Sequence, residues 1–205
     1  LFSSHNNRCS IENHDFRVDR PSTEASVFSP TGYFLIHYDL TGIHAPSQED
    51  YIYEVGVAAE NARDVLVNQL DFLSEVPDGD GKYDIYIQDR PAGYYGVNYE
   101  DTCGNCSGVS QASWIIIDNE YEEGEFLTSG IETMKITVAH EFFHAVQRAY
   151  VTSGIGNNLF LWEMSATWIE DLVAPNVNDY IFWVDDFFNN PSQDISNTDG
   201  YSIAL

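Results

Sequence analysis

Residues 137 to 147 read T-V-A-H-E-F-F-H-A-V-Q and place His140, Glu141 and His144 in the order H-E-x-x-H. On a helix, positions i and i+4 share a face about one turn apart, so both imidazoles can reach a single ion. Glu141 follows the first imidazole by one residue and can hold a water against that ion. Metal plus carboxylate base is the arrangement by which a zinc peptidase hydrolyses an amide. The spacing works only inside a helix, and the flanking residues predict one. Ser129 and Glu132 form an S-x-x-E capping box at its start. Ile131, Met134, Val138, Phe142, Ala145, Val146 and Ala149 then recur at three- and four-residue steps, and no Gly or Pro interrupts 131 to 152.

A catalytic zinc takes three protein ligands and keeps one position open for water. The extended pattern H-E-x-x-H-x-x-G-x-x-H is absent, because Gln147 stands at its Gly and Tyr150 at its last His. A glutamate on a following helix is the other source. Residues 159 to 174 read L-F-L-W-E-M-S-A-T-W-I-E-D-L-V-A, with Asn158 as a cap before them and Pro175 after. Glu163 and Glu170 lie seven residues apart on one face of that helix, and 18 residues separate His144 from Glu163. Either glutamate suits the third ligand position.

H-E-F-F-H, then 18 residues, then W-E-M-S-A-T-W-I-E-D resembles the gluzincin zinc metallopeptidases, the thermolysin-like and aminopeptidase-like group. More narrowly, E-x-x-A-x-W-x-E-D after H-E-F-F-H-A-x-Q is similar to secreted bacterial metalloprotease-like proteins. Y-F-L-I-H-Y-D-L-T-G and K-Y-D-I-Y-I also look like that group, so the resemblance covers about residues 31 to 190. It implies His140, His144 and Glu163 as zinc ligands and Glu141 as general base. It also implies Glu170 or Asp171 as a carboxylate that orients an imidazole, a support most metal-bound histidines have. The thermolysin-like pattern carries an Asp four residues past its ligand Glu, where this chain has Thr167. Trp162 and Trp168 read as core residues.

The elements needed to position these groups follow from the rest of the chain. Residues 33 to 38, Y-F-L-I-H-Y, predict a strand, and 47 to 75 carry a long helical period that Gly56 weakens. An Asp-Gly loop with Asp78, Asp80 and Asp84 leads into a strand at 83 to 88 and partly matches a calcium-binding loop. Residues 89 to 112 read as a Gly- and Tyr-rich loop, 113 to 118 as a buried strand, 119 to 127 as an acidic loop, and 177 to 189 as a further helix. The expected fold class is α+β. It is a zincin-like lobe in which helices back a small twisted mixed sheet, one helix carries H-E-x-x-H, and the next carries the third ligand. In such lobes an edge strand pairs with the extended substrate, and residues 114 to 118 are the segment expected to do so.

Composition bounds the alternatives. Net charge is −25, from 33 Asp and Glu against 8 Lys and Arg, and such a surface repels nucleic acid and anionic membranes. No stretch approaches the roughly 18 apolar residues of a membrane span. With 43% hydrophobic and 14% aromatic residues, 205 residues suffice for one domain. Residues 1 to 30, with Pro21 and Pro30, read as an irregular arm or pro-region remnant, and 31 to 205 as the metallopeptidase domain. The chain begins with Leu and ends in the apolar run Y-S-I-A-L, so a processed product truncated at its C-terminal end is expected. In C-G-N-C, Cys103 and Cys106 suit a structural disulfide in an exported protein, with Cys9 able to pair with either. His5, His14, His37 and His44 sit in no ligand spacing.

The expected function is that of a secreted zinc endopeptidase acting on protein or peptide, with one zinc; the Asp loop reads either as a calcium site or as an Asp-Gly turn feeding a strand. A zinc exopeptidase is the near rival. A non-catalytic extracellular metal-binding or adhesion module is the rival of a different class.

Overall fold

The computed structural model describes residues 18–101, 111–150, 159–181, 188–189 and 191–192. Among these residues the strands are β1 (Ala25–Phe28), β2 (Phe34–Tyr38), β3 (Tyr83–Ile87), β4 (Gly96–Glu100) and β5 (Ser113–Ile117). The α-helices are α1 (Glu49–Arg63), α2 (Gly130–Arg148) and α3 (Leu159–Val173). The fold is α+β, with one mixed sheet in the order β1-β2-β3-β5-β4. The two outer pairs are antiparallel and the two inner pairs parallel.

The pleat sorts the side chains of each strand to two faces. Phe34, Ile36, Tyr83, Ile85, Ile87, Ile115 and Ile117 join the main core with the helices. Tyr86, Val97, Trp114 and Ile116 form a smaller cluster on the other face, covered in part by Val18 and Tyr99. α1 contributes Tyr51, Val55, Ala58, Ala59 and Ala62 to the main core. Each fully buried Ile or Leu contributes about 1.5–3 kcal/mol, so tertiary burial holds these elements. α2 packs against α1, α3, β4 and β5 and is the central helix.

Several boundaries differ from the sequence expectation. The stretch read as irregular up to residue 30 carries β1, joined to β2 by a turn in which Gly32 N–H donates to Ser29 O at 2.8 Å. Gly32 has φ +77°, which glycine adopts without strain. The long helix ends at Arg63, continues as a π-helical turn through Asp64–Gln69, and is left behind by Leu70. Gly56 does not break it. A Cβ there would meet Ser29 Cα at 3.2 Å, so the glycine lets the β1–β2 turn sit on α1.

β4 falls inside the segment expected to be loop. β5 is paired on both sides, so the expectation that 114–118 forms the substrate-facing edge is corrected: the edge on that side is β4. Ser129 is the N-cap of α2 but makes no side-chain cap bond, so the capping box does not form. Instead Gly130 N–H donates to Tyr121 O at 2.9 Å. Trp168 is 52% exposed and is not a core residue. Cys9, Cys103, Cys106, His5, His14, Asn158 and most of 182–189 lie outside the described residues. No described helix is long and apolar enough to cross a membrane.

Candidate metal centre

Because α2 is enclosed on several sides, polar residues within it are dry and need partners. His140, Glu141 and His144 are all buried, with Glu141 fully so. α3 crosses α2 and presents Glu163 and Glu170, which are also buried. Thr167, at the position where an Asp would match the thermolysin-like pattern, is buried between them on the same face.

His140 Nε2 lies 3.2 Å from Glu163 Oε2, and His144 Nε2 lies 3.5 Å from the same oxygen. Ligand atoms from His140, His144 and Glu163 all fall within 4.8 Å of one another. Tetrahedral ligands at zinc bond lengths stand about 3.3 Å apart, so the contacts to Glu163 match the edges of such a tetrahedron. The hydrogen-bond state of two atoms at this point also fits a cation between them. His144 Nε2 and Glu163 Oε1 are buried with no hydrogen-bond partner among the described residues, a costly state for dry polar atoms that have nothing to bind. The donor set of two imidazoles and a carboxylate, beside the further acids Glu141 and Glu170, calls for positive charge. A buried His/His/Glu group that can hold a metal ion is therefore present.

Each imidazole is held by its other nitrogen. His140 Nδ1–H donates to Glu170 Oε1 at 2.6 Å. Asp171, about 100° further round the helix, is half-buried and is not the group at His140. His144 Nδ1–H donates to Gln147 Oε1 at 2.7 Å. Gln147 Nε2 then donates to Trp162 O at 3.0 Å and Ser165 Oγ at 2.8 Å, which ties α2 to α3. The Trp162 ring stacks on His144 with centroids 5.4 Å apart, and Arg148 lies over Trp162 at 5.7 Å. Both Nε2 atoms are thereby turned toward Glu163, a second layer of orientation that metal histidines commonly have.

The electrostatics follow from the same contacts. Burial alone would lower the pKa of His140, but hydrogen bonds to Glu163 and Glu170 and the charges of Glu170 and Glu141 raise it to about 10. Burial would raise that of Glu163, but the charge of His144 and the hydrogen bond and charge of His140 bring it down to about 2. Without a cation, a proton on His140 balances the acids.

β4 lies along α2 at the same level. Asn98 Nδ2 donates to the Glu141 carbonyl at 3.1 Å, and Asn98 Oδ1 accepts from Arg148 Nε at 2.7 Å. Asn98 also bonds Tyr83 Oη and Ser113 Oγ, so the network reaches β3 and β5. The sequence signals for Gln147, Asn98 and Arg148 are slight. Only Gln147 has a local one, since it stands three residues from His144 and on its side of the helix.

The Asp loop is arranged differently. Arg20 bonds Asp84 and pairs with Asp78 at 2.7 Å, while Asp80 accepts the Lys82 N–H at 2.8 Å. His37, which sits in no ligand spacing, bonds Asp84 at 2.7 Å and stacks on Tyr86. The acids expected to hold calcium thus have a guanidinium, an imidazole and a backbone amide as partners.

Compared with known protein families, curated proteins and solved structures, the chain matches none. The geometry of the site therefore carries the functional reading.

Proposed function

We propose that this chain is a zinc-dependent endopeptidase with a gluzincin-like active site, secreted as its sequence resemblance implies. One observation carries the reading. His140, His144 and Glu163 converge, each imidazole is anchored through Nδ1, and Glu141, on the same turn of α2, lies against an edge strand of the sheet. The residues fit zinc better than calcium or magnesium, which prefer an all-oxygen shell.

A bound zinc would polarise the scissile carbonyl and bring the pKa of water down to about 7. The chain's own residues do the rest. Glu141 takes the proton of the attacking water and hands it to the departing amine. Glu170 and Gln147 fix the tautomers of His140 and His144 so that Nε2 of each faces the ligand position. β4, paired among the described residues only with β5, offers its outer N–H and C=O groups to an extended peptide. Such pairing aligns a backbone and favours an endopeptidase over an exopeptidase.

A structural zinc is usually closed by four protein ligands, whereas three converge here among the described residues. A structural site also has no use for a buried carboxylate at position 141. Both points weigh against a non-catalytic module. The test is elemental analysis of the purified chain followed by a peptide-cleavage assay. About one zinc per chain, with cleavage that a chelator abolishes and zinc restores, is the expected result. Cleavage indifferent to the chelator would refute the reading.

A further inference from the structure

Gly96 begins β4, and its bare α-carbon faces α2. A Cβ at this position would stand 2.8 Å from Glu141 Cγ, 3.0 Å from Glu141 Oε1 and 2.8 Å from Thr137 Cγ2. Non-bonded carbons rest about 3.5–4.0 Å apart, so any side chain here displaces something. Gly96 is not among the glycines with positive φ, so its backbone is one that other residues adopt. Space, not conformation, is the reason for glycine. The strand cannot simply back away. Two residues along on the same face, Asn98 holds the Glu141 carbonyl at 3.1 Å and Arg148 at 2.7 Å. Glu100, two further on, also takes a bond from Arg148. Three successive inward positions of β4 are therefore fastened to, or pressed against, the turns of α2 that carry Glu141 and His144.

We infer that Gly96 is a positioning residue for Glu141, a role that rests on the reading of Glu141 as the base. Pinned by Asn98, β4 forms a wall that sets the carboxylate, and the missing side chain at 96 leaves the room it occupies. The three metal-ligating side chains are not among the atoms nearest to Gly96. A methyl group at 96 therefore moves the base and spares the metal site. The bare glycine also keeps the backbone of the edge strand within reach of the base, so that a peptide paired on β4 passes its scissile bond directly beside Glu141.

The experiment compares the wild-type chain with Gly96→Ala, Thr137→Ser and the double variant. Thr137→Ser removes the crowded methyl and keeps the hydroxyl that bonds Tyr121, so the double variant relieves one clash and retains the one with Glu141. Metal content, kcat and KM are measured on one peptide substrate, and the zinc-loaded double variant is crystallised. In both Gly96 variants kcat is expected to fall about 100-fold, the usual effect of an ångström-scale misplacement, while metal content and KM hold. Thr137→Ser alone is expected to keep the wild-type rate. A wild-type kcat in metal-loaded Gly96→Ala, or recovery in the double variant, would overturn the inference. If the wild-type chain cleaves no peptide, the reading of Glu141 as base fails separately. The crystal structure still decides the positioning role: a carboxylate shifted by about 1 Å supports it, and an unmoved Glu141 overturns it.

Discussion

His140 donates from Nδ1 to Glu170 at 2.6 Å, while its Nε2 lies 3.2 Å from Glu163, so two acids on one face of α3 hold opposite ends of one imidazole. In the proposed zinc site Glu170 is thus the orienting group and Glu163 the ligand. Replacing Glu170 with Ala is expected to weaken zinc binding about 10- to 100-fold, read by competition with a chelator. Gln147→Leu is expected to do the same through His144, because it removes the acceptor at Nδ1 and the tie to Trp162 and Ser165. Unchanged affinity in either variant would mean that the helices alone orient the rings.

Metal uptake should be coupled to proton release. In the metal-free site His140, with its pKa raised to about 10, holds a proton at neutral pH. A metal-bound imidazole must be neutral. Affinity is therefore expected to rise about tenfold for each pH unit between 6 and 8, with about one proton released per metal. Calorimetry in two buffers of different ionisation enthalpy measures that proton directly. The same shift stabilises the metal-free fold at low pH. The contribution is full below the ordinary histidine value of 6.5 and is lost as pH rises through about 10. Binding that releases no proton would show the free imidazole to be neutral.

Arg20 anchors the N-terminal segment to the sheet through Asp84, Asp78 at 2.7 Å and Asp101 at 3.1 Å. Burial would raise the pKa of Asp84, but the His37 hydrogen bond and the Arg20 guanidinium hold it below its ordinary 3.8. That stabilisation is present above pH 3.8 and fades as pH falls through the lower folded value. Arg20→Ala is expected to cost about 1–3 kcal/mol at pH 7 in urea unfolding, with the difference closing as the acids protonate. The Arg20 guanidinium also lies over the Trp114 ring, 6.0 Å from its centroid, and an equal loss at acid pH would assign the effect to that packing instead.

The helical part of the candidate metal group was legible because it is local. H-E-x-x-H needs only a helical period around it, and the apolar steps from Ile131 to Ala149 supply one. Glu163 and Glu170 were visible as a seven-residue pair, but assigning ligand and support required α3 to be placed on α2. What the sequence concealed is non-local. Asn98 meets Glu141 across 43 residues, and no pattern in either segment announces the contact. β4 escaped notice because Gly96, Asn98 and Glu100 face a polar network, so the inner side of the strand shows no apolar alternation. The helical period persisted past Gln69 because Phe72 is apolar for another reason, its edge contact with Phe143 at 5.4 Å from a non-helical segment. The inverse error occurred at Trp168, where an aromatic residue on α3 turned out to face solvent.

The central claim is that Glu141 acts as base beside a zinc held by His140, His144 and Glu163. The most direct measurement is the rate of peptide cleavage by Glu141→Gln and wild-type chains loaded to the same zinc content. The amide keeps the size of the side chain and removes its basicity, so zinc content should match and kcat should fall about 10²- to 10⁴-fold. Equal rates at equal zinc content would contradict the account.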